Sequence, residues 1–436
     1  MIQKKIKILI ISSELWKNGT NGGNVLSNLF EGMDAEFAQI YCSPGSPDNT
    51  VCEKYYQMTD FMMINNVIKG HKVGKGFEYF HKSALQPTLS YASQENKGFY
   101  RFFSRYRLNL FFVIKELLWK LAKWDNQQLS KFITDFEPDI IFAPCYASHY
   151  MLQITRYVAN LTSKKVISYI SDDNYSLRQK SLSPIFWINR LILRSSMRKT
   201  FPYYSLTYTM TDEQLFELKS ALNANMKILR KGGDFSGDCV KTSVNLPIRM
   251  VYAGGIYCGR WKTLAYIGEL LKKINQDEIK MRLDIYTQTN ITTKQRKLLN
   301  DNCNIFLHQP VSQTELNQIY QSSDIALHVE SFEKQYKLLT RLSFSTKIVD
   351  CLASSCAVMA ISSKEHSGLT YLKKEDAAIC IDDPSKIEKA LQKIADNPEI
   401  AIKYANKAWD CGKRNHQIES IRAGLHKDLL GIASLT

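Results

Sequence analysis

The chain has 436 residues, too many for one compact core and comfortable for two α/β domains of about 200 residues each. Hydrophobic residues make up 44% and charged residues 23%, ordinary globular values that exclude a disordered chain. A formal net charge of +15, from 57 Lys and Arg against 42 Asp and Glu, implies an anionic partner: a phosphate-bearing ligand, an acidic bilayer surface or nucleic acid.

Met1–Lys5 is polar, and the apolar run Ile6–Ile11 is too short for a secretory signal, so it reads as a strand buried on both faces. No stretch approaches the roughly 20 apolar residues that span a bilayer; Leu108–Leu121 is broken by Lys115, Glu116 and Lys120. The ten cysteines are scattered without a C-x-x-C pair, and Cys351 and Cys356 have no His at ligand spacing. This usage predicts structural thiols in a reduced, cytoplasmic protein, with no disulfide framework and no metal site.

After Ile6–Ile11 comes a polar loop, Ser12–Gly23, then a helical pattern at Val25, Leu26, Leu29 and Phe30. Tyr55–Ser104 is irregular and reads as an insertion. It leads into a basic, aromatic segment, Lys97–Lys123, with seven Lys/Arg against the single acid Glu116. Further strands are predicted at Asp139–Ala143, Val166–Ile170 and Ser205–Met210, and Thr211 with Gln214 forms a capping box for the next helix. Lys231–Asn245, with Gly232, Gly233 and Gly237, is the domain linker.

A second alternating series follows. Met250–Ala253 is a strand ending in Gly254–Gly255, and Lys262–Ile274 is a helix. Leu283–Tyr286, Ile305–Leu307, Ile325–Val329 and Ala357–Ile361 are strands; Ser312 with Glu315 caps a helix, and Ile418–Leu430 closes the chain as a helix. The alternation predicts two doubly wound parallel-sheet domains, residues 1–235 and 246–415, facing across a cleft, with residues 416–436 as a C-terminal helix.

Two segments carry the candidate chemistry. In Arg341–Asp350, Ser345 and Thr346 fall at an expected helix N-cap with Lys347 in the first turn. A lysine there opposes the helix dipole, which a bound diphosphate would correct. Asp350, one turn on, can read a ribose or sugar hydroxyl, or else pair with Lys347 at i,i+3. In Gly254–Lys262, a Gly-Gly turn lets backbone approach a ligand, with Arg260 and Lys262 as cations for a diphosphate.

The order strand, Gly-Gly, Arg/Lys, Glu330, then Ser-Thr-Lys-Ile-Val-Asp-Cys-Leu-Ala-Ser-Ser-Cys-Ala-Val-Met-Ala resembles the C-terminal domain of GT-B glycosyltransferases of the GT4-like group. It is most similar to those assembling bacterial capsular or lipopolysaccharide glycans. The resemblance implies two Rossmann-like domains, a nucleotide-sugar donor held by the C-terminal one, an acceptor on the N-terminal one, and metal-independent transfer with retention. In that family two Glu separated by seven residues bracket the donor. Asp350 matches the second; strict spacing puts the first on Leu342, leaving Glu330 or Glu333 to serve across a longer loop. Gly22–Gly23 resembles the family loop that approaches donor phosphates and acceptor. Where relatives carry a His after Ser168–Ser171, this chain has Asp172 and Asp173, either of which can orient the acceptor hydroxyl or take its proton.

The resulting expectation is a glycosyltransferase of cell-surface polysaccharide synthesis, with no cofactor beyond its nucleoside diphosphate sugar and an acceptor that is a glycan or lipid-linked. Residues 97–123 would lie against the inner face of the membrane. The rivals are a nucleotide-sugar epimerase of the same shape, a catalytically silent scaffold, and a nucleic-acid-binding protein. The last lacks any helix-turn-helix, zinc-finger or RNP pattern.

Overall fold

The computed structural model describes residues 5–17, 21–79, 109–238 and 241–435. In chain order the first half runs β1 (Ile6–Ser12), α1 (Asn21–Phe30), β2 (Ala35–Tyr41), β3 (Lys54–Gln57), α2 (Asp60–Lys69), β4 (Lys75–Glu78), α3 (Asn109–Leu121), α4 (Gln127–Phe136), β5 (Ile140–Pro144), α5 (His149–Thr162), β6 (Val166–Ile170), α6 (Pro184–Thr200), β7 (Tyr204–Thr209), α7 (Asp212–Leu222) and β8 (Met226–Ile228). The second half runs β9 (Ile248–Ala253), α8 (Arg260–Ile274), β10 (Met281–Tyr286), α9 (Thr293–Leu299), β11 (Ile305–His308), α10 (Gln313–Gln321), β12 (Ile325–Val329), α11 (Lys334–Thr340), α12 (Lys347–Leu352), β13 (Ala357–Ile361), α13 (Ser367–Lys374), β14 (Ile379–Ile381), α14 (Ile387–Asp396), α15 (Glu399–Asn415) and α16 (Ile418–Ala433).

Among the described residues fourteen strands form two sheets, of order β4-β3-β2-β1-β5-β6-β7-β8 and β11-β10-β9-β12-β13-β14. Every pairing is parallel except β3 with β4. The central strands are largely apolar because helices cover both faces: β6, β12 and β13 are buried at every residue, with Ser168 and His328 the polar exceptions. In each sheet the order reverses beside the first strand, β1 with β2 and β5, and β9 with β10 and β12. Such a reversal leaves a crevice beyond the strand C-termini, where α/β sheets take ligands. The fold is therefore α/β with two Rossmann-like domains.

The segment Tyr55–Ser104 is not wholly an irregular insertion. Its described part, to Tyr79, holds β3, α2 and β4, all part of the first sheet. Tyr55 and Tyr56 are both fully buried, so β3 shows no polar alternation to read. Thr59 caps α2 by accepting from Met62 N–H, and Gly70 ends it in the left-handed region. The rest of that segment, and residues 97–108 of the basic stretch, lie outside the described residues. Thr211 does cap α7, at 3.2 Å from Gln214 N–H, but the Gln214 side chain accepts from Met210 N–H, so the reciprocal box is not formed.

The chain crosses between domains twice, side by side. Gly233 N–H donates to His416 O at 2.8 Å and Ile418 N–H to Gly233 O at 3.1 Å. The second crossing delivers α16 back onto the N-terminal domain, so residues 416–435 complete that domain. Leu425 and Leu429 are buried there, each stabilising by about 2 kcal/mol. Asp428 accepts from Tyr208 Oη at 2.6 Å, and Arg422 Nε donates to Asn28 O at 2.8 Å. One hydrophobic cluster runs from the inner face of one sheet through Phe235 and Phe344 to the inner face of the other. Each outer face has its own core.

Candidate active site

Beyond β9 and β12 the sequence-predicted donor residues converge, but not as separate ligands. Arg260, at the start of α8, grips Glu330 at the end of β12, Nε to Oε2 at 2.9 Å and Nη2 to Oε1 at 2.6 Å. Their side chains are 11% and 4% exposed. Lys262 pairs with Glu333 at the more exposed rim. The two cations expected to hold the diphosphate and the two candidates for the first bracketing acid thus largely neutralise one another, leaving Lys347 as the cation without a carboxylate partner in a direct ion pair.

Lys347 is half-buried, and its Nζ lies 3.3 Å from the Tyr252 hydroxyl, to which it donates, and 4.9 Å over the Tyr252 ring. That hydroxyl in turn donates to Gly255 O at 2.6 Å. Burial, and then the nearby Arg260 guanidinium, pull the ammonium down to a pKa of about 8. Gly254 explains how the ammonium fits: a Cβ there would stand 1.8 Å from Nζ, and its φ of 143° disfavours any other residue.

The helix starts are less open than the sequence suggested. Thr346 is the N-cap of α12, but in right-handed conformation and without a side-chain cap bond. Ser345 O accepts from Ile348 N–H and Thr346 O from Val349 N–H, at 2.9 and 3.2 Å. At α8, Arg260, Trp261 and Lys262 N–H groups donate to Tyr257, Ile256 and Gly259 carbonyls. Local charge therefore rests on Lys347 more than on helix ends. Asp350 does not pair with Lys347 at i,i+3; Lys231 Nζ, from the first crossing, reaches it at 2.6 Å. Leu342, at the strict position of the first bracketing acid, is buried apolar core.

In the N-terminal domain, Asp172 and Asp173 part company. Asp173 is buried and accepts from Ser176 N–H at 2.8 Å and from the Ser176 hydroxyl, with Arg190 Nη2 at 3.4 Å. These partners make it an anchor of the loop after β6, which corrects its expected role as a base open to an acceptor. Asp172 is exposed and accepts from Ser343 Oγ, across the domain boundary, at 3.1 Å. Gly22 and Gly23 lie in the first turn of α1, not in a loop. His149 begins α5, and burial lowers its pKa.

Sequence reasoning missed a cavity of about 440 Å³ at the C-terminal ends of β1, β2 and β5, lined by Ser13, Ser43, Asp60, Glu116, Tyr146 and Ser148 among others. Its volume is within the ~300–1,000 Å³ of small-molecule sites. Glu116 is raised in pKa by burial and accepts from His149 and Tyr150 N–H at 2.8 and 2.9 Å, closing the start of α5. Asp60 binds Lys115 at 3.0 Å and Trp119 Nε1 at 2.7 Å. No local signal joins Asp60 to Glu116; α2 and α3 bring them together. A larger depression of about 650 Å³ lies on the outer face of α14, among Ser385, Glu388, Lys389 and Lys393, away from both strand-end crevices.

One group of metal-ligand types occurs among the described residues: His328, Glu330 and His366, buried, with ligand atoms within 4.8 Å of one another. Burial lowers both imidazole pKa values. The surroundings do not fit a divalent cation. Arg260 already holds both Glu330 oxygens, and the positive charges of Arg260 and Lys347 both act on His328.

A sequence model of a glycosyl transferase-like family matches residues 268–424. No curated protein sequence matches the chain. In fold it is similar over nearly its full length to sucrose-phosphate synthase from Thermosynechococcus elongatus, with TM-score 0.62 and 11% identity, covering 99% of this chain and 100% of that one. HepE of Anabaena, in complex with UDP and glucose, gives 0.61 and 11% over 98% and 100%. An E. coli trehalose-6-phosphate protein bound with UDP-2-fluoro glucose gives 0.58 and 12% over 97% and 98%. The fold is thus the two-domain GT-B architecture, and the segment from 268 to 424 is similar to a glycosyl transferase-like family.

Proposed function

We propose that the protein transfers a sugar from a nucleoside diphosphate sugar to a glycan or lipid-linked acceptor of cell-surface polysaccharide synthesis, with retention and without a resident metal ion. The observation that carries this reading is Lys347, desolvated at the strand-end crevice of the C-terminal domain, pressed against Gly254 and lacking a carboxylate partner in a direct ion pair. A diphosphate beside it would supply the missing counter-charge. As the sugar leaves, charge develops on that diphosphate, and a preorganised ammonium in a water-poor site stabilises it most. Arg260 adds field from behind, Ser345 and Thr346 offer hydroxyls, and Asp350 stands near the sugar or ribose.

The acceptor enters from the N-terminal domain, over Gly22–Gly23 and Asp172, with the cavity around Asp60 and Glu116 as its pocket. Hydroxyl-rich walls and two carboxylates suit a saccharide. Membrane contact is supported by α3, which exposes Phe112, Val113, Leu117 and Leu121 at 37–60% while Trp119 anchors its other face. No described helix is long and apolar enough to cross a membrane. A surface-lying amphipathic helix suits a lipid-linked acceptor.

A thermal-shift screen against nucleoside diphosphate sugars tests the reading. At least one donor should raise the melting temperature in proportion to its affinity, and Lys347→Met should abolish the shift. A flat response across uridine, guanosine, adenosine and thymidine donors would overturn it.

A further inference from the structure

Lys347 is held by a segment that begins with an unusual contact. Arg341 belongs to the C-terminal domain, where its carbonyl accepts from Ser367 N–H at 2.8 Å. Its guanidinium reaches the other domain and takes Glu217 of α7 in a two-pronged pair, Nη1 to Oε1 at 2.6 Å and Nη2 to Oε2 at 2.8 Å. Arg341 is 11% and Glu217 26% exposed, so water screens the pair poorly. Asp173 adds a second carboxylate 3.8 Å from Arg341 Nη2. The next two residues are held the same way: Thr211 Oγ1 donates to Leu342 O at 3.3 Å, and Ser343 Oγ to Asp172 at 3.1 Å.

We infer that Arg341 is a positioning residue, and that its grip on Glu217 is a latch coupling domain closure to the placing of the donor cation Lys347. The domains are joined covalently at the paired crossings around Gly233 and Gln417, and a few loop residues of this kind are what a hinge needs. The latch is a separate contact, made by side chains alone on the N-terminal side, and opening must break it. Only Leu342 to Thr346 separate Arg341 from Lys347, and Leu342 and Phe344 are buried, so this short stretch transmits a shift of one end to the other. The Asp173 carboxylate, itself fixed by Arg190 and Ser176, gives Arg341 a rigid seat. Part of this inference, the coupling to Lys347, rests on the donor reading above; the latch itself does not.

Glu217→Gln is the discriminating variant, because Glu217 lies in the other domain, on α7. Small-angle scattering without ligand should report a larger radius of gyration for Glu217→Gln and for Arg341→Ala than for wild type. The dissociation constant for UDP should rise about tenfold in both, and the double variant should be no worse than Arg341→Ala alone. Circular dichroism and the urea midpoint verify that each variant remains folded. Unchanged scattering in both variants would overturn the latch. Larger scattering radii with unchanged UDP affinity would overturn the coupling while leaving the latch standing. Failure of wild type to bind any of UDP, GDP, ADP and dTDP would count against the donor reading and the coupling, with scattering still deciding the latch.

Discussion

Raising the pH past 8 should loosen the donor. In the free protein Lys347 titrates at about 8, and a diphosphate alongside restores the ammonium toward its ordinary range near 10.5. Binding then takes up a proton wherever free Lys347 is neutral. Against pH 7, affinity should fall about twofold at pH 8 and about tenfold at pH 9, a loss of about 1.4 kcal/mol at the latter. The phosphates of UDP are already ionised over this range, so they add no slope. Calorimetric titration of UDP at pH 7, 8 and 9 and constant ionic strength reads this directly, with Lys347→Met giving a flat, weaker profile. Stability runs the other way. Between about pH 8 and 10.5 the unfolded chain keeps the lysine proton that the folded one has lost, so stability rises with pH in that window, by at most about 3 kcal/mol. A pH-independent affinity in wild type, or the same slope in Lys347→Met, would refute the assignment.

Four further substitutions separate chemistry from scaffolding. Gly254→Ala puts a methyl group where the ammonium lies and strains a φ of 143°; UDP affinity should drop at least about tenfold and stability by about 1–3 kcal/mol, read by titration and urea unfolding. Arg260→Met strands the buried Glu330 charge and should cost about 3–5 kcal/mol, much of it recovered by Arg260→Met with Glu330→Leu. Asp173→Asn should lower the melting temperature by loosening the Ser176 and Arg190 contacts. Asp172→Asn should leave melting unchanged and slow sugar transfer about 10²-fold or more, the scale of a lost proton-handling group. Chelator should leave transfer unchanged.

How much of this was legible follows burial. Val166–Ile170, Ile325–Val329 and Ala357–Ile361 match their strands end to end, since a parallel strand covered on both faces is a near-continuous apolar run. Four short strands were not legible: β3, β4, β8 and β14 have three or four residues each, too few to establish a period. Lys347 was readable as a lysine against the local helix dipole. Its environment was not, because Arg260 and Glu330 stand 70 residues apart and Lys231 and Asp350 stand 119 apart. Ion pairs at such separations leave no local pattern, so paired charges look like free ligands. Asp173 failed for the same reason: its neighbour in sequence faces solvent while it faces Arg190.

A crystal structure with a bound nucleoside diphosphate decides whether Lys347 holds the donor. The pyrophosphate is expected at the ends of β9 and β12, within hydrogen-bond reach of Lys347 Nζ and against Gly254–Gly255. A diphosphate bound elsewhere on the chain, with Lys347 still turned to Tyr252 and untouched, would contradict it.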